Sequence, residues 1–359
     1  MFLFAILRLL AGGSGLGFLR SLLRLAACWA FEPQNVLDVH NVVYGTNKQL
    51  TFGTPIAAVN YTQRPRGDNS FAAINPSYYS DVAKTGKGHQ WPTIRQRVKN
   101  ETAFGATWDV DNVNVGWLLA FALGADTVTG VGPFTHTFKF IQNSNQMPVT
   151  SIYFEDTADV LYQMADLAVG KLVISGQETG PLSAQFEMTG SGRWTDGSVT
   201  KPAVPTPTFL MGSDTDILIG AQGASVSKKE RVRSWSVSID VSLIPHYAPG
   251  GGLVASFMKV DTQRATVQLN FAAKDTDDIR TLINNDTLQE LKINTNSGAS
   301  AQCNLFFPGL YFKGKIGVGD NNEEVWQLES TEQDVIKSGA NEVFQATVIN
   351  GTATYLTGA

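Results

Sequence analysis

Cysteine is almost missing from this chain. There are two, Cys28 and Cys303, in 359 residues, and neither stands in a CxxC or Cys/His spacing. That excludes a disulfide framework and the usual zinc patterns, and it fits a reducing compartment. The four histidines, His40, His89, His136 and His246, are scattered without partner spacing. His136, in a Thr-His-Thr strand, reads as hydrogen-bonded within a sheet rather than catalytic. Charge is also scarce, 16% of residues against the usual quarter of a globular domain. Ser, Thr, Asn, Gln and Gly fill the gap, which suits sheets that meet other protein surfaces. The balance is acidic, net −5 with pI about 5.4, and lacks the basic stripe of a duplex-binding protein.

Apolar runs are short. Met1–Gly13, MFLFAILRLLAGG, is interrupted by Arg8 and too short to span a membrane. It lacks the positive start of a signal peptide. From Leu16 the spacing turns helical, with Leu19, Leu22, Leu23 and Ala26 on one side and Arg20 and Arg24 on another. Residues 1–34 are either an N-terminal packing helix or the product of a start codon placed too early. Catalytic motifs are missing too. Gly13–Gly17 lacks the GxGxxG spacing, Gly86-Lys87-Gly88 lacks the Walker spacing, and no GxSxG occurs. Asp275, Asp277 and Asp278 lack the Gly and Glu of a calcium loop and read as helix-capping acids. No cofactor, metal or enzyme active site is expected.

What is present is β pattern. Asp159–Trp194 reads as two strands joined by Gly176-Gln177-Glu178-Thr179-Gly180. Leu182, Ala184, Phe186 and Met188 alternate with Ser183, Gln185, Glu187 and Thr189, one face for a core and one for polar surroundings. Trp235–Leu243 and Ala265–Phe271 alternate in the same way. Strands are also expected over 92–110, 135–141, 149–154, 288–293, 301–307, 311–316, 325–330 and 344–349. A short helix is expected over Val113–Gly124, with Asn112 or Asn114 as cap and Gly124 as stop, and a second helix after Asp275. Asn60–Trp91 has no clear period and reads as a long loop, functional or disordered. Residues 201–224, with Pro202, Pro205 and Pro207, read as a linker. The same order of elements in both halves predicts a duplicated β fold: first unit 35–200, second unit 225–350, and a loosely held tail 351–359.

The Gly170–Gly190 hairpin, with GWLLAFALG (116–124), FTHTFKF (134–140), RVRSWSVSIDVSLIP (231–245) and RATVQLNFAAKDTDDIRTLI (264–283), resembles the tail tube (major tail) proteins of long-tailed bacteriophages, over roughly Asn35–Val348. The resemblance implies two β-sandwich or barrel units, each with a flanking helix, in a ring-shaped oligomer. It implies a structural virion protein whose stacked rings form the channel for DNA ejection, assembled in the bacterial host cytoplasm and not in a membrane. Its partners would be itself (three chains with pseudo-sixfold symmetry, or six), the tape measure, tail terminator and distal tail proteins, and double-stranded DNA in passage. Ser183, Gln185, Glu187, Ser236, Ser238, Asp240, Gln268 and Asn270 become candidates to line the lumen or meet the next subunit. Two loops, Tyr61–Trp91 and Ile244–Thr262, would reach the next ring and order on assembly, with Tyr61, Arg64, Arg66, Tyr78, Tyr79, Trp91, His246 and Tyr247 as contact candidates. Two other readings compete: a distal tail or tube-terminator protein of the same fold, and a β-sandwich adhesion or carbohydrate-binding module.

Overall fold

The computed structural model describes residues 43–63, 71–80, 94–141, 147–155, 161–200, 206–223, 226–229, 232–272, 287–318, 324–337 and 342–356. The extension 1–34 and the helix expected after Asp275 lie outside these. The first half runs β1 (Val43–Gly45), β2 (Tyr61–Gln63), β3 (Phe71–Ser80), β4 (Arg95–Asp109), α1 (Asn114–Leu123), β5 (Gly124–Thr129), β6 (Phe134–Phe140), β7 (Thr150–Glu155), β8 (Leu161–Gln177), β9 (Ser183–Gly190) and β10 (Trp194–Asp196). The second runs β11 (Thr215–Ala221), β12 (Ser227–Lys228), β13 (Val232–His246), β14 (Phe257–Ala272), β15 (Gln289–Asn296), β16 (Gln302–Leu310), β17 (Lys313–Val318), β18 (Glu324–Glu329) and β19 (Gln345–Asn350). The protein is mainly β. Among the described residues the strands form two open sheets, one of 12 strands and one of 7.

The larger sheet contains the run β3-β4-β9-β8-β13-β14-β18-β17, antiparallel throughout. This run is one four-strand unit written twice. β3-β4-β9-β8 is followed by β13-β14-β18-β17, and β8 pairs with β13 at the joint. The registers match residue by residue. Lys171 lies opposite Glu187 as Lys313 lies opposite Glu329. Gly105 lies between Phe71 and Glu187 as Gln268 lies between Ser236 and Glu329. Even the bulges coincide, after Ser77 in β3 and after Ser242 in β13. The smaller sheet, β12-β11-β15-β16-β19-β6-β5, interleaves the halves through the pairing of β19 with β6.

Between the sheets lies α1. The short helix expected over 113–124 is present, and all ten of its residues are buried. Its sequence, NVGWLLAFAL, carries no charge, so no face needs water. It packs on β8 of the larger sheet and on β5, β6 and β19 of the smaller. Trp117 stacks near Trp108 and Phe121 and donates its indole N–H to the Thr46 carbonyl at 2.9 Å. The cap is Asp111 rather than Asn112. Its Oδ1 accepts the Val113 and Asn114 amides at 2.8 and 2.7 Å, while Asn114 Oδ1 accepts the Asp111 amide at 2.8 Å. Gly124, at φ +83°, ends the helix as expected.

Three further expectations change. Asn60–Trp91 is not all loop: it contains β2 and β3, and β3 pairs with β4 along its whole length. Pro76 and the lack of clean alternation hid this strand, and both are tolerated because β3 is an edge. Residues 201–224 are not wholly linker, since they contain β11, paired with β15 and β12. Residues 351–356, expected to be loosely held, are not loose. Gly351–Leu356 crosses the start of α1 as a strap pinned by Tyr355, which is fully buried against Tyr61, His136 and Phe138. The Tyr355 hydroxyl donates to the Val113 carbonyl at 3.0 Å and accepts from Asn350 Nδ2 at 2.6 Å.

Two buried polar groups tie the layers together. Asp166, at φ +59° where β8 passes from pairing with β7 and β10 to pairing with β9 and β13, accepts from Gln49 Nε2 (2.9 Å), the Gly53 amide (2.5 Å), Ser191 Oγ (2.6 Å) and Arg193 Nε (3.1 Å). His136 sits fully buried between two acceptors, the Asp126 carboxylate at 3.1 Å and the Thr352 carbonyl at 2.8 Å. Burial opposes a charge there, but the hydrogen bonds to Asp126 and Thr352 outweigh it and hold the pKa above 6.5.

Two predictions follow from this packing. The folded pKa of His136 is raised, so its contribution to stability is complete below about 6.5, the unfolded value, and is lost as pH rises through the folded value. Chemical denaturation at stepped pH should show stability falling on the alkaline side of 6.5, and His136→Gln should flatten that slope. Separately, a Cβ at Gly116 would lie 2.4 Å from the Tyr355 ring. Gly116→Ala should therefore destabilise by about 1–3 kcal/mol despite alanine's better helix propensity, as read from the denaturation midpoint.

Candidate assembly surface

The eight candidate strand residues come together. Ser183, Gln185 and Glu187 on β9, Ser236, Ser238 and Asp240 on β13, and Gln268 and Asn270 on β14 share one face of the adjacent strands β9-β8-β13-β14. Residues directly opposite in a ladder point the same way, so the registers settle the face. The other face is core: Leu182, Ala184, Phe186 and Met188, Leu172 and Ile174, Trp235, Val237 and Ile239, and Ala265, Val267, Leu269 and Phe271 are all buried. The period-two pattern thus identified both faces correctly.

Most of the polar face is hydroxyl and amide. Ser238 Oγ donates to Asp240 Oδ2 at 2.9 Å, and Asn270 Nδ2 donates to Ser234 Oγ at 2.8 Å. One transverse row is charged. Glu187 lies opposite Lys171, Lys171 opposite Asp240, and Asp240 opposite Arg264, and Arg264 is ion-paired to Glu332. Alternating signs across a ladder stabilise neighbouring strands, and like charges there destabilise them. Lys171 and Arg264 were not among the candidates. Their signal, alternation of charge at matched register, needs the strand pairing to become visible.

The second set of candidates divides. Tyr78 and Tyr79 stand exposed near the outer end of the β3–β4 hairpin, with the Arg95 guanidinium 3.7 Å over the Tyr78 ring. Ile74, Ile94 and Val98 are exposed on the same hairpin. Residues Ile244–Thr262 include the ends of β13 and β14, and the turn between them docks on β4. Tyr247 donates to the Asn100 carbonyl at 3.0 Å, and the Asn100 amide donates to the Leu253 carbonyl at 2.7 Å. Burial and the Glu101 carboxylate push the Tyr247 phenol up to about 12. His246 stacks on Phe257 at 4.5 Å. Tyr61 is no surface contact: it is buried in the core, stacked on Tyr355 and tilted against Trp117. Its position in β2, next to the central helix, is what encloses it. Arg64, Arg66 and Trp91 lie outside the described residues.

Among the described residues no group of three or more His, Cys, Asp or Glu side chains converges to hold a metal, and no helix is long and apolar enough to cross a membrane. Cys303 is buried, and burial pushes its thiol up to about 12. A broad hydroxyl-and-amide face, an exposed hairpin and open sheet edges define a structural β protein. The phage tail tube protein family matches residues 48–330, most of the chain, and the chain belongs to that family. No curated protein matches it.

Reversing one charge in the row tests its role. Lys171→Glu places three carboxylates side by side with Glu187 and Asp240. It should lower stability by about 1 kcal/mol at low salt, with the loss shrinking in high salt as screening sets in. Paired denaturation curves at the two salt levels measure both effects.

Proposed function

We propose that this protein assembles with itself into stacked rings that form the tail tube of a bacteriophage, the channel through which genome DNA leaves. The observation that carries the reading is the duplicated four-strand unit in one continuous sheet, with its ends open among the described residues and the outer face of β9-β8-β13-β14 mostly hydroxyl and amide. A sheet that already continues from unit to unit within a chain is suited to continue from chain to chain, and ring closure removes the exposed edges. Two tube units per chain, 35–200 and 225–350, make a ring of three chains with pseudo-sixfold symmetry.

The face bearing Ser183, Gln185, Ser236, Ser238, Gln268 and Asn270 is the candidate lumen lining. Hydroxyls and amides with few cations give phosphates little to bind, and the acidic balance of the chain adds mild repulsion. The β3–β4 hairpin, with Tyr78 and Tyr79, and the β13–β14 turn, with His246 and Tyr247, are the contacts toward the next ring. The protein would act in the virion, with a structural rather than catalytic role. Tape measure, terminator and distal tail proteins would meet it at the tube's interior and ends.

Negative-stain electron microscopy of the concentrated protein tests this. Tubes or stacked rings with a central hole are expected, and averaged end views should show three chains per ring. Six chains would overturn the trimer. Single rings that never stack would favour a terminator or distal tail protein.

A further inference from the structure

The two ring nitrogens of His136 face acceptors from different parts of the chain. Nδ1 lies 3.1 Å from Asp126 Oδ2 on β5, and Nε2 lies 2.8 Å from the Thr352 carbonyl on the strap. An ionised carboxylate and a carbonyl only accept, so both nitrogens must donate, and only the imidazolium does that. The pair is sealed from water, with side chains 0% and 3% exposed. Neutral imidazole carries one proton. Held on Nδ1 by the carboxylate, that proton leaves the Nε2 lone pair aimed at the Thr352 oxygen, and two acceptors 2.8 Å apart repel. Deprotonation therefore removes the tether to the strap and leaves the Asp126 carboxylate buried without its counter-charge.

We propose that His136 and Asp126 form a proton-operated latch on the strap Gly351–Leu356, closed with His136 protonated and open with it neutral. Opening lifts the strap from α1 and β6 while both sheets stay folded. The strap is the side that gives way because the other side is held independently. β6, which carries His136, is hydrogen-bonded to β5 and to β19 along its length. Losing one side-chain bond leaves those ladders intact. The strap has no strand neighbour. It depends on the Thr352 tether and on Tyr355, whose hydroxyl meets Val113 and Asn350.

The groups around the imidazole set the sign of the switch. Asp126, on β5, favours the charged ring. Tyr355, on the strap, stands edge-on to it at 4.8 Å, and Tyr61, on β2, stacks on Tyr355 at 5.9 Å. Burial raises both phenols above their ordinary 10, so they stay neutral while His136 titrates. β19 places Val348 opposite His136, and α1 carries no titratable side chain. Asp111, ahead of α1, adds negative charge near Tyr355. The hydrogen bonds to Asp126 and Thr352 outweigh burial and raise the imidazole above 6.5. The latch is thus closed below that pH and opens as pH rises through the raised value.

The latch does not depend on the tube reading. Hydrogen exchange of the full-length chain, followed by mass spectrometry at stepped pH, tests it. Each observed rate is divided by the intrinsic rate at the same pH, so that base catalysis cancels. Protection over 351–356 should fall about tenfold or more, as expected for one lost charge-assisted hydrogen bond, when pH rises through the His136 titration. Protection in β16, inside the smaller sheet, should hold. Asp126→Asn removes the charge that favours the imidazolium and should move the fall to lower pH. His136→Gln should abolish the pH dependence; if that variant does not fold, the Asp126→Asn shift decides. No fall in the parent protein, a fall that persists in His136→Gln, an unmoved fall in Asp126→Asn, or an equal loss in β16 overturns the latch.

Discussion

The hydrogen-bonded seam between β8 and β13 is the contact on which the rest depends. A strand inside a sheet must satisfy its backbone N–H and C=O groups on both sides, and neighbouring strands do this along most of its length. β8 is paired on both flanks along its length, with β7 and β13 on one side and β10 and β9 on the other. Through this strand the two four-strand units become one surface rather than two modules on a string. Most of the core beneath it is one cluster, with side chains from both units and from α1.

The seam imposes a second demand. A sheet this wide needs cover on its apolar side, and the cover is a helix apolar all round, closed over by the smaller sheet. Such a helix brings buried backbone and side-chain polar groups that must be matched in place. Asp111 and Asn114 match the helix start, Asn350 and Tyr355 match the strap above it, and His136 joins that strap to β5 through Asp126. Asp166 does the same at the bend of β8. The core is specified by a few satisfied polar groups as well as by apolar area.

Much of this was legible beforehand because short-range rules govern it. Alternation along Leu182–Thr189 and Trp235–Leu243 identified core and outer faces. Gly124 marked the end of the helix. The assembly surface was harder to read. Glu187, Lys171, Asp240 and Arg264 are far apart in the chain, and only pairing makes them a row. Tyr61 looked like a loop residue because nothing local shows that Trp117 and Tyr355 converge on it. Tyr355 itself lies in a segment of small polar residues, and its burial depends on a space above Gly116 that the helix leaves open.

By itself the sequence determined the β class, the period of most strands and the position of the helix. These follow from side-chain periodicity and backbone preference, which act over a few residues. Tertiary structure alone decided which strands became neighbours, that β3 and β17 were left as edges, and that the last residues cross back over the helix. Those outcomes depend on backbone hydrogen bonds between distant segments, which carry no side-chain signature. The repeated ladder supplies the link between the two levels. Equivalent registers in the two units show that one rule of pairing was used twice.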